Sequence, residues 1–446
     1  MRGPACRGTP PLAQACAGLV GRAPAPPASK TRRKRLFSPA VPRATGGRPA
    51  AQCRTMLPSA PACATPRTRS RASRAAALGF AWAMTVLSAQ TRAAAAPDES
   101  TLRLSGFTTL AAGRVVGGGH QTLFEGVDCP CFFADWSHAG LYGPRWKLTP
   151  ESRLGVQADW TPLEAFTLTV QAVLRGQQAT GAAIEWAFAT IRLGADTQLQ
   201  VGRKRLPLYF YSDFQDIGHA YPWARVPTNL YGWEIVNYDG ASLSTQTQAG
   251  DWSVRFNAYV GSAGSHDNAL MKMYYGTPVD IHWRSMRGAD LEAVRGPLTL
   301  RASVHRSRAS EVDRLTGEEW IDPARNVHQA WSLAANLDAD PWILRTETAG
   351  FDRHRYGSYR SRAATVAVGR RVGRWTPLLT LGHYTERYPE ADRGENQRWM
   401  LWSATLRHEW GPRTAVKLQF DHLANHSAAV YNTRARVLSV SVDSLF

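Results

Sequence analysis

Residues 202–235 concentrate charges of both signs among aromatic rings. The stretch opens Gly202-Arg203-Lys204-Arg205-Leu206-Pro207-Leu208-Tyr209-Phe210-Tyr211-Ser212-Asp213-Phe214-Gln215-Asp216 and continues through Tyr221-Pro222-Trp223-Ala224-Arg225-Val226-Pro227. Opposed charges a few ångströms apart in confined water produce a transverse field, which orders water and favours small polar solutes over apolar ones. Asp213 and Asp216 would form the acidic side of such a filter, with Lys204, Arg205 and Arg225 beside them in the constriction. Arg175, Arg203, Arg255, Arg301, Arg345 and Lys417 are read as lying on the polar parity of alternating runs and are the candidate facing wall. Rings of arginine would bias a pore toward anions. Each basic residue also has a plainer role open to it, pairing with a carboxylate on a neighbouring strand, and many such pairs contribute little. Tyr209, Phe210, Tyr211, Tyr221 and Trp223 either glue the segment to a wall or offer a stacking platform for a solute, the first being the more ordinary use.

Other constellations carry less. Ser303 and His305 share a strand face, as a nucleophile and its base would, but two such residues on one strand are commonplace. The twelve histidines are scattered without the HExxH spacing of a zinc site. Cys129-Pro130-Cys131 has one intervening residue, where zinc and thioredoxin motifs have two, and a bridge across one residue would be strained. No GxSxG, Walker A or dinucleotide fingerprint stands in a supporting context, so neither a cofactor nor a catalysed reaction is expected.

The elements that must position these residues alternate with period two. Leu154, Val156, Ala158 and Trp160 oppose Gly155, Gln157 and Asp159; Phe166, Leu168, Val170, Ala172 and Leu174 oppose Thr167, Thr169, Gln171 and Val173; and Leu298, Leu300, Ala302 and Val304 oppose Thr299, Arg301, Ser303 and His305. Seventeen candidate strands follow: 101–115, 152–162, 165–175, 183–194, 197–204, 238–247, 251–262, 276–286, 288–295, 297–308, 327–339, 341–351, 361–373, 376–388, 396–410, 413–423 and 431–446. Single-chain bacterial barrels hold an even number, so sixteen is the expectation, with the surplus strand placed in the weakly patterned 276–295 region. Strands of about 9–12 residues exceed the usual 5–6 of soluble sheets. Tight connectors alternate with long polar ones, and Trp160, Trp252, Trp342, Trp375 and Trp410 fall at run ends, as interfacial girdles require. These features favour an all-β transmembrane antiparallel barrel over a soluble sandwich.

The formal charge of +18 misleads until it is located. Residues 1–96 hold sixteen Lys and Arg and no acid, which leaves 37 basic and 35 acidic side chains beyond them and removes the case for nucleic acid. Residues 67–96 read as an export signal: Arg67, Arg69, Arg71 and Arg74, an apolar run from Ala75 to Ala89, and small residues at Ala93 to Ala96. Residues 1–66 are read as a non-structural upstream extension with Met56 as initiator, and 97–446 as the barrel, its constriction loop spanning about 203–236.

The chain ends in a last alternating run, with Leu438, Val440, Val442, Ser444 and Phe446 on one face and Val437, Ser439, Ser441, Asp443 and Leu445 on the other. That run resembles the closing strand of bacterial outer-membrane barrels, which ends in Phe. The Gly202-Arg203-Lys204-Arg205-Leu206-Pro207-Leu208 opening is similar to the start of the third loop of proteobacterial porins, although the acidic Pro-Glu-Phe type of loop tip is absent. The resemblance to Gram-negative porins spans about residues 101–446 at the level of architecture and is motif-like only at these two places. It implies an inward-folded third loop, a water-filled channel for passive diffusion of small hydrophilic solutes and ions, and a homotrimer in outer-membrane lipid. It also implies recognition of the Phe446 strand by the barrel assembly machinery. A substrate-specific channel and an outer-membrane barrel hydrolase are the alternatives.

Overall fold

A computed structural model describes residues 101–446 except 120–121, 125–126, 129, 179–181, 321–325, 355–358, 390–395 and 428–433. The expected export signal and upstream extension, together with Cys129, lie outside the described residues. Sixteen long strands form one closed antiparallel ring: β1 Leu102–Gly118, β2 Arg153–Leu163, β3 Phe166–Arg175, β4 Ala182–Arg192, β5 Thr197–Arg205, β6 Asn237–Ala249, β7 Trp252–Ser265, β8 Val279–Arg295, β9 Leu298–Asp313, β10 Val327–Ala339, β11 Trp342–His354, β12 Arg360–Arg370, β13 Trp375–Arg387, β14 Gln397–Gly411, β15 Thr414–Asn425 and β16 Ala435–Leu445. Every strand pairs with its sequence neighbours, and β16 returns to pair with β1 from Phe107↔Leu445 to Gly118↔Ala435. Closure leaves no strand edge unpaired. The backbone of Phe446 continues the seam, its N–H donating to the Gly106 carbonyl at 3.0 Å and its carbonyl accepting from the Gly106 N–H at 2.9 Å. Its ring lies so close over Gly106 that a Cβ there would overlap it.

Two candidates, 276–286 and 288–295, are one strand, β8. The alternation breaks within it because the register against β9 shifts between Arg284 and Arg287, and Ser285 takes a left-handed φ of 50°. A bulge of this kind inserts an extra residue and resets the parity, which is why the sequence reads as two short runs.

Burial runs opposite to that of a soluble protein. On β9, Leu300 and Val304 are exposed while Arg301, Ser303, His305 and Ser307 are buried, and β14 and β16 repeat the inversion. Val304 is 58% and Leu379 69% exposed, against 5% for Arg301 and 0% for Asp443. Water would penalise so much outward apolar surface at about 25 cal/mol per Å², whereas hydrocarbon does not. A closed ring also satisfies its backbone without solvent. Both ends of the ring differ in kind. Short turns join β2–β3, β4–β5, β6–β7, β8–β9, β10–β11, β12–β13 and β14–β15, and long connections occupy the other end. Trp160, Trp252, Trp342, Trp375 and Trp410 all sit at the short-turn end, four of them exposed and Trp252 half-buried.

Candidate pore-lining site

The connection between β5 and β6, residues 206–236, is pinched at its neck by the Leu206 N–H donating to the Val236 carbonyl at 2.9 Å, continuing the Arg205↔Asn237 pairing. Between these ends it makes two short 3-10 turns, Ser212–Phe214 and Gly218–Ala220. From there it bonds to buried inward side chains around the ring. Arg301 of β9 donates to the carbonyls of Phe210 and Pro207, at 3.2 and 3.3 Å. The Trp223 indole donates to Thr380 of β13 at 2.8 Å, and the Ala224 N–H to Gln419 of β15 at 2.8 Å. Arg407 of β14 donates to the His219 and Tyr221 carbonyls at 3.0 and 2.8 Å. A segment bonded to inward residues on opposite sides of a closed ring passes through its interior.

Its charged anchors are dense. Asp216 is buried and meets three guanidiniums: Arg153 of β2 at 3.2 Å, Arg175 of β3 at 2.5 Å, and Arg205 at the end of β5. Glu185 of β4 shares the cage, 2.6 Å from Arg175 and 3.3 Å from Arg205. Burial by itself raises the Asp216 carboxyl, but the guanidiniums of Arg175, Arg205 and Arg153 outweigh it and hold the group well below the usual carboxylate range. Arg225 is enclosed by Glu151 at 2.7 Å, Asp421 of β15 and the Ser439 hydroxyl of β16, with the Phe132 and Tyr142 rings each 5.6 Å away. Lys417 of β15 donates to the Gly218 carbonyl at 2.6 Å, pairs with Asp443 of β16 at 3.0 Å and lies 4.9 Å from the Tyr221 ring. Asp443 in turn accepts from Thr109 of β1 at 2.6 Å. Only glycine fits at 218, since a Cβ there would overlap the Asp443 carboxylate.

The other side of the loop is apolar. Leu206, Leu208, Tyr209, Tyr211, Trp223, Leu230, Tyr231 and Ile235 cluster with inward Trp283 of β8, Ala330 of β10, Ile343 and Phe351 of β11 and Leu378 of β13. Polar tips within it find partners: Tyr231 donates to Glu347 at 2.6 Å, and Glu347 also accepts from the Phe210 N–H and from Ser332. The loop aromatics therefore serve as adhesive between loop and wall. Tyr209, Tyr211, Tyr221 and Trp223 are buried, so they present no open stacking face.

These contacts correct several expectations. Arg175, Arg205, Arg225, Arg301 and Lys417 do gather at the loop, but as buried, compensated anchors rather than free charges across water. Asp216 belongs to that stitching too. Arg203 turns away: its register partner Asp239 shares the outer face with exposed Leu243, and the two pair at 3.2 Å on the surface. Arg345 faces inward but is tied to Asp338 at 2.8 Å. What stays open to solvent is a mixed group: Asp213, with 36% of its side chain exposed, stands 3.7 Å from Arg301, and Arg255, 37% exposed, stands 3.7 Å from both Asp290 and Glu292. Lys204 bonds to Gln200 and to Ser242 at 2.8 Å on the same inward face. Arg153, Glu151, Glu185, Glu347, Asp421 and Asp443 are further parts of the site. Asp421 and Asp443 were legible as polar-parity partners on their strands; Glu151 was not, since it precedes β2 in the first long connection.

Ser303 and His305 do not form a catalytic pair. The Ser303 hydroxyl donates to the Leu208 carbonyl, and His305 Nδ1 lies 2.8 Å from the Tyr259 hydroxyl. Cys131 is buried and disulfide-bonded. Among the described residues no group of three or more His, Cys, Asp or Glu side chains is arranged to hold a metal ion.

Neither a family model nor a curated protein sequence matches the chain. Solved structures do. The outer membrane channel DcaP of Acinetobacter baumannii superposes with a TM-score of 0.50 at 12% identity, over 77% of this chain and 97% of that one. OmpF of Salmonella typhi, solved in complex with daunomycin, gives 0.50 at 11% identity over the same shares. At that identity the likeness speaks for the fold alone. Ring closure, sixteen strands and inverted burial agree with it, and the chain has the fold of the Gram-negative outer-membrane porins.

Proposed function

We propose that this protein is an outer-membrane channel through which small hydrophilic solutes and ions diffuse passively, and that it catalyses no reaction. The observation that carries this reading is the combination of an outward apolar band with a polar interior crossed by residues 206–236. Passage is left to the side where the loop's Asp213 faces the β5–β8 wall, lined by Lys204, Arg255 and Glu292 beside the buried Arg301–Asp290 pair. Two bases and two acids make a balanced eyelet, so selectivity between cations and anions is expected to be weak, in place of the anion bias that free arginines would give. The long connections face outward from the cell and the short turns the periplasm, and assembly as a homotrimer is part of the same reading. Single-channel recording in planar bilayers tests it: discrete ohmic steps with a reversal potential near zero in a salt gradient support the channel, and an electrically silent, correctly folded barrel defeats it. A substrate-selective channel is the second reading, favoured by how completely the loop is bonded to the wall. Block of the current by micromolar solute would decide for it.

A further inference from the structure

Four arginines stand on the outer surface of β8 and β9, away from the lumen: Arg284, Arg287, Arg306 and Arg308, all exposed. They face each other in register, Arg284↔Arg308 and Arg287↔Arg306. In an unbroken strand, residues 284 and 287 would point to opposite faces. The extra residue of the bulge, with Ser285 at φ 50°, puts both outward while Trp283 and Met286 on either side remain buried inward. Like charges directly opposite on adjacent strands repel. Among the described residues none of the four has an acidic partner, although arginines nearby do: Arg314 pairs with Asp280 at 3.4 Å, and Arg360 and Arg362 share Asp352 at 3.0 and 2.9 Å. His266 also engages Asp280, at 3.2 Å, so that carboxylate is already committed. Between Ser285, Arg287, Arg306, Ser307 and Arg308 lies a cleft of about 190 Å³.

Their level on the barrel narrows what could fill that cleft. Arg287 is the register partner of exposed Val260, and Arg306 follows exposed Val304 by two residues, so the quartet borders the apolar band on the long-connection side. A guanidinium is costly at the middle of a bilayer and nearly free of cost at its interface, which places these groups among headgroups. Guanidinium forks bind phosphate bidentately, and one polyanion between the two facing pairs would turn mutual repulsion into shared attraction.

We infer that the bulged β8–β9 face is a binding site for the phosphorylated headgroup of a membrane lipid in the surrounding leaflet. The inference rests on the outer-membrane reading above and adds a ligand outside the passage. In detergent micelles doped with diphosphoryl lipid A, native mass spectrometry should find the lipid retained by the wild-type protein at least tenfold more than by R284Q/R287Q/R306Q/R308Q. The fully dephosphorylated lipid with the same chains should not be retained by either. Equal retention by both proteins, or of both lipids, overturns the site. Displacement of the lipid by equimolar pyrophosphate makes it a free-phosphate site and overturns the lipid assignment, and dissociation of an oligomer in the variant makes the quartet a protein contact with the same result. Conductance recorded from the same preparations reports folding and is expected to be unchanged. A lipid retained by an electrically silent barrel would leave this site standing while removing the channel. Should the quadruple variant fail to insert, R287Q/R306Q is measured in its place, with a severalfold loss of retention expected and no loss overturning the proposal.

Discussion

At Asp216 three guanidiniums converge on one carboxylate, and removing its charge leaves Arg153, Arg175 and Arg205 buried around a neutral amide, with Glu185 still paired to Arg175 and Arg205 but not to Arg153. Breaking a buried pair in this way costs about 3–5 kcal/mol, so Asp216→Asn should lower the unfolding free energy by that amount, read from denaturant titration in detergent. The pH dependence has a definite sign. Because the folded carboxyl lies below its unfolded value of about 3.9, its stabilisation is complete above that pH and fades only as the pH falls toward the depressed folded value. The stability gap between wild type and Asp216→Asn should therefore be constant from pH 5 to 7 and shrink below about pH 4. A gap that widened on acidification would contradict the cage. Asp213 behaves otherwise. Partly open to solvent and 3.7 Å from Arg301, it should tolerate Asn within about 0.5 kcal/mol. The same change should move the reversal potential toward anions, and an unmoved potential would take Asp213 out of the eyelet.

At the scale of elements, residues 206–236 hold their course because backbone and wall fit closely at a few points. Gly218→Val forces a side chain into the Asp443 carboxylate, which is already shared with Thr109 and Lys417. The expected outcome is a loop lifted from the β15–β16–β1 wall, seen as larger and noisier single-channel steps; unaltered conductance would mean that this contact does not set the passage. How far such contacts could be read in advance differs by element. The sixteen strands were visible because outward apolar and inward polar residues alternate over long runs, and only β8 misled, where a bulge resets the parity. The length and composition of the third long connection, between β5 and β6, marked it as special. Its partners were hidden, since which strand faces Asp216 or Arg225 depends on how a ring closes over distances no local pattern encodes. Arg203 was misplaced although its own run held the answer, since it shares the parity of Leu199 and of exposed Val201 and pairs with Asp239 on that same outer face.

The whole molecule is a ring whose continuity depends on one seam. Phe446 extends the β1–β16 ladder by its two backbone bonds to Gly106 and lays its ring against that glycine. Deleting Phe446 is expected to reduce the yield of heat-modifiable, membrane-inserted barrel severalfold, and wild-type yield would show that the ladder closes without it. The same seam carries the loop's central anchor, since Lys417, Asp443 and Thr109 come from the last two strands and the first, and all three meet at Gly218. Residue 218 thus has no seat until the ring's first and last strands have come together. Docking of the plug then acts as a latch that records completion of the cylinder, and a barrel left ajar would betray itself as a wide, ungated hole.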